Sequence, residues 1–65
     1  MDDRLDQIAA QLDDIAEQLA EVAIDRLQVA VADGDEAAGR QERVITRARR
    51  AVEKAAALLH ETADR

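Results

Sequence analysis

Few side chains in this sequence could carry out chemistry, and their spacing does not bring them together. His60 is the single histidine, cysteine is absent, and Thr46 and Thr62 carry the only hydroxyl groups. A metal at His60 would need Glu61 or Asp64 beside it, whereas a histidine near a helix C-terminus is also favoured by the helix dipole alone. The many carboxylates fall on outer helix faces, unlike the perturbed acids of active sites. We therefore expect no catalytic, metal-binding or cofactor-binding residues, and a protein that is not an enzyme.

The segment Asp33-Gly34-Asp35 superficially resembles an acidic calcium loop. It lacks the twelve-residue ligand spacing of such loops. A turn explains it better, because Gly34 can take the left-handed conformation that ends a helix and Asp35 can cap the next one. The sequence therefore predicts a turn at 33–35.

Five basic residues recur at spacings of three and four in the second half of the chain, which places them along one side of a helix. We call them the basic ridge: Arg40, Arg43, Arg47, Arg50 and Lys54. They form either a solvated face that attracts acidic helices of neighbouring subunits or a docking surface for an acidic partner or RNA. The net charge of −6 and the absence of aromatic residues argue against nucleic acid.

The first segment contains a heptad seam with apolar residues at spacings of three and four. The seam consists of Leu5, Ile8, Leu12, Ile15, Leu19 and Val22. Small residues flank it at every seventh position (Ala9, Ala16 and Ala23), which lets a neighbouring helix approach closely on that side. A helix is predicted from about 2 to 32.

The pattern changes after Val22, because Arg26 interrupts the seam. Ile24, Leu27, Val29 and Val31 point in several directions, which is typical of a helix enclosed by more than one neighbour. We therefore expect the stretch 22–31 to be the most buried part of the molecule. Ile24, Leu27 and Val31 also form a candidate partner patch near the turn, which either extends a contact between subunits or docks a different protein.

The second segment repeats the spacing in a lighter form, rich in alanine. Its seam consists of Ile45, Ala48, Val52, Ala55 and Leu59. A helix is predicted over 36–63. Its first residue is open between Glu36 and Arg40, because Gly39 inside a helix costs about 1 kcal/mol relative to alanine.

A chain of 65 residues forms one domain at most, here 1–65, and usually needs a disulfide, a metal or assembly to be stable. Without cysteine, assembly remains. A short loop makes two helices antiparallel neighbours, and each seam still needs a second partner. We therefore expect an all-α antiparallel hairpin that pairs through both seams into a four-helix bundle as a homodimer, with a tetramer as the alternative.

Sequence features also bear on location and source. No apolar run approaches the roughly 18 residues of a membrane span, and the acidic start Met1-Asp2-Asp3-Arg4 is unlike a signal peptide. We expect a cytoplasmic protein without membrane contact. Eight arginines against one lysine are compatible with a GC-rich bacterial genome.

In length, helix–turn–helix layout and heptad-like seams, the chain resembles the repressor-of-primer (ROP) hairpins. The resemblance implies an antiparallel four-helix-bundle dimer. It is architectural, and no motif matches residue by residue, so no RNA-binding role is carried over. We expect a small non-enzymatic oligomeric protein that acts as a protein-interaction, scaffolding or regulatory module. The alternative is a nucleic-acid-associated regulator that uses the basic ridge.

Overall fold

The computed structural model describes residues 3–63, which form two α-helices. Helix α1 spans Asp3–Asp33 and helix α2 spans Glu36–Ala63. The helices pack side by side and run antiparallel, so that Asp13 near the start of α1 reaches His60 near the end of α2. The predicted all-helical hairpin is therefore confirmed. Helix α2 begins at Glu36, which decides between the two starting points and leaves Gly39 inside the helix.

The turn reverses the chain within two residues. Gly34 has a φ of 62°, in the left-handed region that favours glycine. The Asp35 carboxylate accepts a hydrogen bond from the backbone N–H of Ala38 at 3.1 Å, and the Asp35 carbonyl accepts one from the N–H of Gly39 at 3.2 Å. Asp35 is thus an N-cap that satisfies an otherwise unpaired donor of α2. The conformation predicted for Gly34 and the cap predicted for Asp35 are both confirmed.

The contact between the helices is made along a stripe of alanines. The buried residues of 3–62 are Ala9, Ala16 and Ala23 on α1 and Ala38 and Ala56 on α2. The α1 alanines recur every seventh residue, so they lie along one side of the helix. A methyl group occupies little space, and the helix axes can therefore come close together. The prediction that a neighbour approaches on the alanine side is confirmed.

The prediction that 22–31 is the most buried stretch is wrong. Val22, Ile24 and Leu27 are about half exposed, at 46, 57 and 49 %, and Val31 is 78 % exposed. The reason is geometric. A helix with one neighbour buries one stripe, here the alanines, and residues that point in other directions remain in solvent.

The hairpin is a thin, single layer. Its Cα atoms extend 49 × 13 × 11 Å, with a radius of gyration of 14.8 Å. A compact domain of this length has a radius of gyration of about 10.7 Å. Folded domains are usually built from at least two packed layers. Over residues 3–63, neither helix is long and apolar enough to cross a membrane.

The two glycines predict opposite effects of the same substitution. Gly34→Ala should destabilise the protein by about 1–2 kcal/mol, because an L-residue is strained in the left-handed conformation. Gly39→Ala should stabilise it by up to about 1 kcal/mol, because the new Cβ would lie 3.8 Å from the Ala30 Cβ, an ordinary contact. Urea unfolding followed by circular dichroism measures both. If both substitutions changed the free energy of unfolding in the same direction, the assigned turn would be contradicted.

The alanine contact predicts strong size selection at Ala16. Ala16→Leu should destabilise the hairpin by about 1–3 kcal/mol, because the larger side chain pushes α2 away. Ala10 is exposed on the same helix, and Ala10→Leu is the matched control, expected to change the stability by less than about 0.5 kcal/mol. Thermal unfolding of both variants makes the comparison. Equal losses would show that the helices do not meet at Ala16.

Candidate self-association face

The two flanks of the hairpin differ in chemistry, and one hydrogen bond identifies them. His60 Nε2 lies 2.8 Å from Asp13 Oδ2, which places both residues on the same flank. In a helix, the residue four positions after a given residue is rotated from it by about 40° around the helix axis. The residue one position before it is rotated by about 100° in the opposite direction. Asp13 follows Ala9 by four and His60 follows Ala56 by four. The residues that directly precede the buried alanines therefore lie towards the opposite flank.

On α1 that opposite flank is a row of large aliphatic side chains. Ile8, Ile15 and Val22 directly precede the three buried alanines, and their exposed fractions are 44, 43 and 46 %. The leucines of the predicted seam, Leu5, Leu12 and Leu19, lie between this row and the alanine stripe and are half-buried. The predicted seam is thus split: its leucines border the contact with α2, and its other members remain in solvent.

On α2 the same flank is also apolar. Ile45, Val52 and Leu59 are half-buried, Ala55 is half-buried, and Ala48 is exposed. Val44 and Leu58 extend the surface outward, each 54 % exposed. We call the whole surface the apolar face. It consists of Leu5, Ile8, Leu12, Ile15, Leu19 and Val22 from α1 and Val44, Ile45, Ala48, Val52, Ala55, Leu58 and Leu59 from α2.

The other flank is polar and carries side-chain hydrogen bonds within the chain. Besides the Asp13–His60 contact, Thr46 Oγ1 donates to Glu42 Oε1 at 2.7 Å. Arg49 is half-buried on this side, and its Nε is buried without a hydrogen-bond partner in the part of the chain described. Sequence reasoning had not placed Glu42 or Arg49 against α1. The signal is their spacing, since both lie a multiple of seven residues before the buried Ala56.

The candidate partner patch lies away from the apolar face. Ile24 and Leu27 line a shallow depression on the polar flank together with Thr46 and Arg49. Val31 follows Ile24 by seven residues and therefore shares its side of α1. The patch and the apolar face are thus two separate exposed surfaces of one hairpin.

The basic ridge runs along the outer side of α2, away from α1. All five side chains are exposed. None of them lies within 4 Å of a carboxylate of residues 3–63, whereas Arg26 does pair with Asp25, at 2.8 Å. The ridge is therefore a solvated row of cations in the single chain.

The remaining candidates for chemistry lie apart. Thr62 Oγ1 donates to the carbonyl of Leu58 in its own helix at 3.0 Å, far along α2 from the Thr46–Glu42 pair. Within residues 3–63 no group of three or more histidine, aspartate or glutamate side chains could hold a metal ion. The proposed neighbour Glu61 lies within this range, whereas Asp64 lies outside the described residues.

Sequence reasoning identified most of the apolar face but did not include two of its exposed members, Val44 and Leu58, among the interface residues. Both flank the predicted seam of α2, and their seven-residue relation to Ala37 and Ala51 was the available signal.

Nothing matches this chain among protein-family models, curated proteins or solved structures.

The solvated ridge predicts tolerance to the loss of charge. Arg43→Gln combined with Arg50→Gln should change the free energy of unfolding by less than about 1 kcal/mol, because both side chains are exposed and neither pairs with a carboxylate of residues 3–63. Urea unfolding measures this, and a gel shift with RNA and DNA at low salt tests the nucleic-acid alternative. A salt-sensitive shift that the double variant abolishes would favour that alternative. A collapsed fold would show that the arginines are interfacial.

Proposed function

We propose that this protein is a non-enzymatic, homo-oligomeric interaction module, in which two hairpins pair through their apolar faces to form a four-helix bundle. A dimer with twofold symmetry is the simplest closed assembly, because the same face of each subunit contacts its copy. In that assembly the apolar face becomes the core, and the rest of the surface is free to scaffold or regulate a partner protein.

One observation carries the proposal: among residues 3–62 the chain buries alanines and leaves its larger aliphatic residues half-buried or exposed. No residue bigger than alanine is fully buried between 3 and 62. Burial of a valine, leucine or isoleucine side chain stabilises a protein by about 1.5–3 kcal/mol, several times more than a methyl group. A single hairpin forgoes most of this stabilisation, and a second hairpin on the apolar face recovers it.

The exposed area supports the same conclusion. The chain exposes 4839 Å², whereas a folded monomer of 7.1 kDa typically exposes about 4,100 Å². The excess of about 700 Å² is close to the roughly 800 Å² that each partner buries in a standard protein interface. One further copy of the hairpin is therefore of the right size to cover the face.

The partner patch gives the module a second contact. Ile24, Leu27 and Val31 lie outside the apolar face, so the proposed bundle leaves them exposed. Exposed apolar clusters of this kind mark sites of protein interaction. We therefore assign the patch to a partner protein and the apolar face to the homodimer.

Two isoleucines of α1 separate these roles. Ile15→Lys should break the dimer and lower helicity, because a charge buried in the bundle core costs several kcal/mol. Ile24→Lys makes the same change outside the core and should leave an equally helical dimer. Sedimentation equilibrium and circular dichroism at micromolar concentration measure both outcomes.

Either of two results would contradict the proposal. A wild-type chain that is monomeric and fully folded at micromolar concentration would remove the need for assembly. An Ile15→Lys variant that remains a dimer of unchanged stability would mean that the interface lies elsewhere.

A further inference from the structure

The polar flank carries a shallow depression between the two helices, in the half of the hairpin nearer the turn. Its volume is about 150 Å³, and its α1 side is entirely apolar. The residues that line it are Ala20, Ala23, Ile24 and Leu27 on α1 and Glu42, Thr46 and Arg49 on α2. An apolar cavity of this size accommodates a group as large as benzene. The depression can therefore receive one large apolar side chain of another molecule.

The apolar side of the depression continues towards the turn as the partner patch. Ile24, Leu27 and Val31 are spaced by three and four residues, so they lie along one side of α1, and all three are exposed. At 1.5 Å per residue the patch extends over about 10 Å, close to two turns of a helix laid beside it. Amphipathic helices bind such surfaces through apolar residues that recur at the same spacing.

Two arginines border the same depression on its α2 side. Arg43 precedes Thr46 by three residues and Arg50 follows it by four, so both lie on the side of α2 that carries Thr46. They are thus the members of the basic ridge nearest the polar flank. Both are exposed, and neither lies within 4 Å of a carboxylate of residues 3–63. Arg43 extends back towards the turn, since its Nη1 lies 4.0 Å from the position that a Cβ would occupy on Gly39.

The other half of the polar flank, towards the open end of the hairpin, is acidic. Asp13, Glu17 and Glu53 line a second depression there. Arg49 lines both depressions and marks the boundary between them. Juxtaposed like charges are unfavourable at an interface, so an acidic molecule is repelled from the open half and attracted to the two arginines of the turn half. Charge therefore confines an acidic partner to the end that carries the partner patch.

An apolar patch beside cations favours a protein helix over a nucleic acid. Nucleic-acid bases stack on aromatic side chains, and the chain contains none. A phosphate backbone would bind the arginines and leave the partner patch in water. An amphipathic helix with one acidic side covers the patch and places its carboxylates against the arginines in a single contact.

We propose that the partner patch, Arg43 and Arg50 form one docking site for an amphipathic helix with an acidic side, supplied by a partner protein. The apolar stripe of that helix fills the depression and covers the patch, and its carboxylates lie against the two arginines. This inference rests on the proposed function, because it specifies the chemistry of the partner that the module scaffolds or regulates. It also gives part of the basic ridge a role in binding.

Two synthetic peptides test the site on the full-length chain. The probe is a monomeric helix of about 20 residues, above the length at which isolated helices are marginal, with leucines at spacings of three and four and glutamates along one side. The matched peptide has lysine in place of every glutamate. Isothermal titration calorimetry at about 0.1 M salt should show at least about tenfold tighter binding of the glutamate peptide. Its affinity should fall as salt is added, because the charges at the rim are screened.

Three variants separate the contributions of charge and apolar contact. Arg43→Gln combined with Arg50→Gln should weaken binding of the glutamate peptide about tenfold, since each exposed pair contributes about threefold. Lys54→Gln is the control and should change it by less than about twofold. Lys54 lies about 12 Å beyond Thr46 along α2, farther than the screening length of about 10 Å at this salt concentration. Ile24→Lys should weaken binding at least about tenfold although it adds a positive charge, because the docked helix would bury that charge among apolar groups.

Sedimentation equilibrium on the same samples separates this proposal from the homodimer. A dimeric wild type that does not bind the glutamate peptide overturns the docking site and leaves the homodimer intact. Tighter peptide binding by Ile24→Lys means that charge alone holds the peptide, and also overturns the site. So does a single-stranded RNA that displaces the peptide and loses affinity in the arginine double variant, or a wild-type tetramer that Ile24→Lys converts to a dimer. A monomeric wild type overturns the homodimer, and peptide binding still decides the docking site, which lies away from the apolar face.

Discussion

The close approach of two helices along a stripe of alanines is the contact on which the rest of this structure depends. Ala9, Ala16 and Ala23 occupy every seventh position of α1 and lie buried at the centre of its contact with α2. Burying methyl groups allows a short distance between the helices and contributes little apolar area. The larger residues must then lie beside the contact. Their exposure leaves the hairpin with one apolar surface whose composition is typical of a protein core.

The turn determines which surfaces come together. Gly34 and Asp35 reverse the chain in two residues, so α2 returns directly beside α1 and in the antiparallel direction. This places Asp13 beside His60 on one flank and the aliphatic rows of both helices on the other. The chemistry of each flank is therefore continuous across two helices that are distant in sequence. A longer or more flexible connection would not specify this alignment so closely.

Separation of charge between the helices adds orientation to an otherwise non-directional apolar contact. The hydrophobic effect depends on area and not on direction, so an apolar face alone accepts more than one pairing. The net charges of the helices, −6 for α1 and +2 for α2, make these pairings unequal in electrostatic energy. In the proposed homodimer the aliphatic residues supply the stability, and the opposite net charges of the helices contribute to specificity, a division of roles that is common at protein interfaces. The partner patch, on the other flank, remains independent of both.

Periodicity and turn chemistry in the sequence determined the two helices, the left-handed Gly34, the Asp35 cap and the alanine side of the contact, because these follow from local rules of backbone geometry. The sequence also separated the apolar residues from the basic ridge. Tertiary structure alone decided which part of the seam borders α2: the leucines do, whereas Ile8, Ile15 and Val22 face solvent. It also decided that Val22, Ile24, Leu27 and Val31 are exposed and that α2 begins at Glu36. A heptad pattern describes a wide apolar surface, and the distance at which a neighbouring helix docks selects the stripe that is buried.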